Sequence, residues 1–147
     1  MHSKARLTVV AAGAVLALGL AAGCSSDDAA ASGENTDVCN TFASDHNAFV
    51  ELVAAGPGSA ENVEKWTADK QAAIDKVKAL PSTASGDVAS SLTTFTDALP
   101  ADTLELSAPD GQSGKAFVDN GAAVKSACEA DGTTITLDAL PLSTFTN

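Results

Sequence analysis

The side chains best suited to chemistry in this chain are few: cysteines at 24, 39 and 128, and histidines at 2 and 46. A zinc centre takes three or four nitrogen or sulfur ligands, and two histidines, one of them the second residue, cannot supply a multi-histidine set. Calcium would use carboxylates, yet no Asp-x-Asx-x-Asx-Gly loop occurs. Gly111-Gln112-Ser113-Gly114-Lys115 has part of a phosphate-cradling loop. The full pattern needs glycine where Pro109 stands and Ser or Thr where Ala116 stands, so that reading fails. His46 has the right side chain for a general base or a pH switch. No Ser, Cys or Asp is set beside it by a motif, and Asp45 would point about 100° away around a helix. His46 therefore reads as a structural, hydrogen-bonded histidine, and the chain as non-enzymatic, with no metal and no cofactor.

Charge narrows the partners further. Eight basic residues face 19 acidic ones, for a net charge of −11. Nucleic-acid binding rests on Lys and Arg neutralising phosphates, so nucleic acid is excluded as a partner.

The N-terminus reads as an address. Met1 to Arg6 is a short basic segment; Leu7 to Gly23 carries no charge, ends in small residues and runs directly into Cys24. A basic start, an apolar stretch and a small-residue exit make an export signal. Leu20-Ala21-Ala22-Gly23-Cys24 resembles the lipobox of bacterial lipoproteins, with Ala21 standing where that family prefers leucine. The resemblance implies cleavage after residue 23, a lipid on Cys24, and a protein anchored in the cell membrane on its extracytoplasmic face. Two other readings stay open: ordinary cleavage near Ala29-Ala30-Ala31, which would free the protein, and retention of residues 7–23 as a membrane span. Seventeen apolar residues are slightly short for a span.

With Cys24 assigned to lipid, Cys39 and Cys128 remain as a pair, and export places them where a disulfide persists. The domain needs such help. From Cys24 onward, Leu, Ile, Val and Phe number only 24 of 124 residues and the net charge is −13, a composition at the border of disorder. The ordering of those apolar residues argues for a fold nonetheless.

Residues 24–35 are small, polar and acidic and read as a flexible tether. A first helix is expected over 37–54, capped by Asn35 or Thr36. Val38, Cys39, Phe42, Phe49, Leu52 and Val53 are its apolar positions, and His46 lies on the same stripe. A second starts after Ser59, burying Val63, Trp66, Ala73, Ile74, Val77 and Leu80, with Glu61 and Lys65 paired on its wet face. Val88, Leu92, Phe95 and Leu99 give a third. Phe117, Gly121, Val124 and Cys128 give a fourth over 113–130, ended by Asp131-Gly132, with Gly121 allowing close approach of a neighbour. The tail 133–147 is expected to lie irregularly across the helices, burying Ile135, Leu137 and Leu140; the alternative pairs it with 103–106 as a two-stranded ribbon.

These elements predict an all-α, up-down-up-down four-helix bundle over 36–132. In that topology Cys39 and Cys128 fall at the same end of antiparallel neighbours, where Cα atoms about 5.5–6 Å apart allow a bond. The bridged end also receives the tether and faces the membrane. The far end carries the longest connection, 100–114, and its Asp102, Glu105 and Asp110 are the candidate partner surface, since long loops are disproportionately functional. The whole layout is similar to that of small actinobacterial cell-surface lipoproteins, a resemblance that supplies a location and not an activity. The expected role is a monomeric, membrane-anchored helical domain presented to an envelope or external protein. The alternative is a module holding a small apolar or lipid ligand between helices near Trp66 and Phe95.

Overall fold

The computed structural model describes residues 33–107 and 111–141. The export segment 1–23, Cys24, most of the expected tether, Asp110 and the last six residues lie outside them. Four helices are formed: α1 (Thr36–Ala55), α2 (Val63–Ala79), α3 (Gly86–Asp97) and α4 (Gln112–Ala130). Short 3-10 turns at Ala60–Asn62, Leu80–Thr83 and Thr103–Ser107 fill the connections. Among the described residues there is no strand, so the fold is the expected all-α bundle and the ribbon alternative is not formed. Residues 103–106 turn as a 3-10 helix instead.

The helices pair closely as α1 with α2 and α3 with α4. Helices α1 and α4 are joined by the Cys39–Cys128 disulfide, with Cα atoms 5.9 Å apart. Cys39, Phe42 and Phe49 of α1, Val88, Leu92 and Phe95 of α3, and Phe117, Val124 and Cys128 of α4 are all buried, as their spacing predicts. The middle of the bundle is aromatic. Phe95 meets Phe42 edge-on at 5.2 Å and Phe117 at 5.1 Å between ring centroids, an arrangement that suits their quadrupoles.

Two apolar positions depart from the sequence reading. Val63, expected inside, is 41% exposed, at the start of α2 where residues 60–65 are all exposed. Val50, off the expected stripe, is 4% exposed. Helix α1 is covered on two sides, by α2 as well as by α3 and α4, so its buried face is wider than one stripe.

The two ends of α1 and α4 are built together. Asn35 and Thr36 do not cap α1 through their side chains. Asn35 is buried; its backbone N–H donates to Asp131 Oδ2 at 2.9 Å, and its Nδ2 donates to Asp131 Oδ1 at 3.2 Å. Its Oδ1 accepts the Ser85 backbone N–H at 2.8 Å, just before α3. The Thr36 hydroxyl donates to the Gly33 carbonyl, so the Thr133 hydroxyl donates to Thr36, 3.0 Å away. Gly33 lies so close to Asp131 that an added Cβ would stand 1.8 Å from its carbonyl oxygen. The last three residues assigned to the tether are thus part of the bundle.

Helix α4 ends where Asp131-Gly132 predicts. Gly132 takes φ 94°, and the Thr133 N–H returns to the Cys128 carbonyl at 2.8 Å. This left-handed reversal satisfies a terminal carbonyl at a conformation natural only to glycine. It turns the tail back across the bundle without regular structure, burying Ile135 and Leu140 and half-burying Leu137.

Candidate functional site

The first part of the connection, Pro100 to Leu106, is pinned to the bundle. Thr103 and Leu106 point inward from the 3-10 turn and are buried, while Asp102, Leu104 and Glu105 face out. Asp102 Oδ1 accepts the Leu104 N–H at 2.8 Å and so starts the turn; Glu105 Oε2 accepts the Ser113 hydroxyl at 3.3 Å, across the connection. Two of the three carboxylates chosen from the sequence therefore shape the loop as well as charging its surface. Asp110 lies outside the described residues. Leu104 is 48% exposed, a large apolar side chain set between two acids. Beside the turn a shallow groove of about 490 Å³ runs along α2, lined by Val63, Glu64, Thr67, Ala101 and Asp102.

Beneath this surface lies a residue the sequence reading passed over. Lys70 is 0% exposed, and its Nζ sits 3.7 Å from the centroid of the Trp66 ring. Nζ and the buried Thr103 hydroxyl have no hydrogen-bond partner among the described residues. Burial pushes the Lys70 ammonium below its ordinary range, and the Asp102 carboxylate pulls the other way. The indole face adds a second attraction at 3.7 Å. A signal existed: Trp66, Lys70, Ala73 and Val77 step by four, three and four along the buried face of α2. A lysine in that register is on the core stripe whatever its charge. The Trp66 indole N–H donates to the Leu52 carbonyl of α1. Trp66 and Phe95, named together for a ligand, are thus each engaged in packing, Trp66 against Lys70 and Leu52, Phe95 against Phe42 and Phe117.

His46 is buried, stacked on Phe117 at 4.8 Å with an interplanar angle of 22°. Its Nδ1 lies 3.2 Å from Asn47 Oδ1. Burial lowers its pKa from the ordinary histidine value, while the Asn47 bond and the Asp138 charge oppose the shift. Asn47 in turn holds the tail, donating through Nδ2 to the Thr136 carbonyl at 3.1 Å and accepting the Asp138 N–H at 2.8 Å. Among the described residues no group of three or more His, Cys, Asp or Glu converges as a metal site. None of their helices is long and apolar enough to cross a membrane.

No family model matches the chain, and no curated protein or solved structure matches it either.

Proposed function

We propose that this protein is a lipid-anchored, extracytoplasmic lipoprotein that acts by contact, presenting its helical bundle to an envelope or external protein. The observation that carries the reading is the Cys39–Cys128 disulfide, joining the first and last helices in a chain whose third cysteine follows Leu20-Ala21-Ala22-Gly23. A structural disulfide belongs to an oxidising compartment, and the lipobox-like run accounts for the cysteine left over. The described chain begins at Gly33 beside the bridged end, so with a lipid on Cys24 the turn carrying Asp102, Leu104 and Glu105 would be offered away from the membrane. That turn places an exposed leucine between two acids, which suits a partner surface with an apolar socket and basic rim. The reading makes the protein a monomer held by its lipid, with no nucleic acid and no cofactor.

Replacing Cys24 tests the anchor. The Cys24→Ser protein is expected in the culture medium, and the unaltered protein in the detergent phase after Triton X-114 partition. Persistence of the variant in the membrane overturns lipid anchoring. The contact surface is tested by in-cell crosslinking of the unaltered protein and of an Asp102→Asn, Leu104→Ser, Glu105→Gln variant. Loss of a specific crosslinked species supports the turn as the interface; an unchanged pattern removes it.

A further inference from the structure

Asn47 fixes the protonation pattern of His46. An amide end that accepts the Asp138 N–H is oxygen, and one that donates to the Thr136 carbonyl is nitrogen, so both bonds assign the same orientation. His46 Nδ1, facing that oxygen, therefore carries the hydrogen, and Nε2 of the neutral ring holds a lone pair. No described residue donates to Nε2. The ring edge that carries it faces α4 at Gly121, where a Cβ would lie 3.5 Å away. Helix α4 is also one wall of a cavity of about 380 Å³ that His46 lines. Val118 and Ala122 form that wall and Leu137 and Leu140 of the tail form the other, with Lys125 and Asp138 at the rim. An apolar cavity of about 150 Å³ already suffices for benzene in an engineered core. Here a half-open apolar cleft is combined with one ring acceptor whose other nitrogen is committed elsewhere.

We propose that this cavity binds a small, largely apolar molecule carrying one hydroxyl donor, a phenol or a cyclic alcohol, with that hydroxyl bonded to His46 Nε2. Such sites are typically apolar with a single placed polar group that sets orientation. The site is independent of the acidic turn and of the anchor.

Phenol and toluene are the probes, titrated into the full chain carrying Cys24→Ser and followed by methyl NMR of Val118, Ala122 and Leu137 and by the His46 ring nitrogens. Water solvates phenol better than toluene, so a preference for phenol requires the hydrogen bond. Phenol is expected to shift those methyls and Nε2, and to bind about tenfold more tightly than toluene. His46→Phe keeps the ring and removes the acceptor, so the preference for phenol should vanish. Ala122→Phe, at an exposed position, fills the cavity and should abolish binding of both probes with the melting temperature unchanged. Equal affinity for the two probes, or shifts confined to other methyls, overturns the proposal. So does a chain ending at Pro141 that binds phenol when the full chain does not, because residues 142–147 would then be the occupant.

Discussion

Lys70 keeps a charge where the surrounding side chains cannot solvate it. Its stem is well placed among the buried residues of α2, but the ammonium has only the Trp66 face and the Asp102 charge to offset its lost hydration, and no hydrogen bond among the described residues. An unfolded lysine titrates near 10.5, and burial lowers the folded value. The unfolded chain therefore binds the proton more tightly, and stability rises with pH between the folded pKa and 10.5. Lys70→Met, which keeps the length and removes the charge, is expected to stabilise the protein by about 1–2 kcal/mol at pH 7. The gain should shrink as pH approaches 10.5. Urea denaturation of both proteins at pH 7 and pH 10 measures it, and a gain that does not change with pH would show that the ammonium carries no penalty. His46 bears on the opposite, acid side. Its lowered pKa makes the neutral ring the folded form, so its contribution is whole above 6.5 and is lost as pH falls through the folded value. The melting temperature of the wild type should decline over that interval more steeply than that of His46→Phe.

At the scale of single helices, the period of 3.6 residues made most of the fold readable. Cys39, Phe42 and Phe49, then Phe117, Gly121, Val124 and Cys128, repeat at steps of three, four or seven, and all are buried. What the stripe does not contain is the number of neighbours around each helix. Val50 is inside because α1 is flanked on two sides; Val63, the first residue of α2, is outside. Val50→Ala is therefore expected to cost about 2 kcal/mol, and Val63→Ala under about 0.5 kcal/mol, in equilibrium unfolding. Comparable losses at the two positions would refute the assigned packing. The pairing of Lys65 differs from its spacing for a similar reason. Glu61 and Lys65 have a favourable spacing, yet Lys65 bonds Asp69, one turn further on, because Glu61 sits in a 3-10 turn outside the helix. The site of Gly121 is less crowded than a point of close helix approach. A Cβ there would meet its nearest neighbours at 3.5 and 3.7 Å, ordinary contact distances. Gly121→Ala should thus raise stability by about 0.5–1 kcal/mol through helix propensity, and a loss would mean the backbones are closer than described.

For the molecule as a whole, the bridge compensates for a sparse interior. Few large apolar residues are available, and five aromatic rings, His46 included, form the middle of what they build. The Cys39–Cys128 bond spans a sequence separation of 89. Closing a loop of that size in the unfolded chain stabilises the fold by about 4–5 kcal/mol on the chain-entropy argument, a large share of what a domain of this size typically has. Guanidinium unfolding with and without reductant should show a loss of that order; a difference under about 1 kcal/mol would mean that the unfolded chain is already compact there. The bundle, its bridge and its irregular tail were legible because cysteine count and helical register agree on one topology. The cavity beside His46 was not legible. It depends on where an unpatterned tail crosses α4, which is settled by the Asn47 bonds to residues 136 and 138.

The bridge also decides how the domain responds to being pulled. Tension arriving from the N-terminal side reaches Gly33, then Asn35, and then, within the first turn of α1, the sulfur of Cys39. From there a covalent route leads directly into the last turn of α4. Tension passing from the N-terminal side toward the tail crosses the bridge and bypasses the 88 residues between the two sulfurs, whereas a grip at the 102–105 turn, which lies among those residues, loads them.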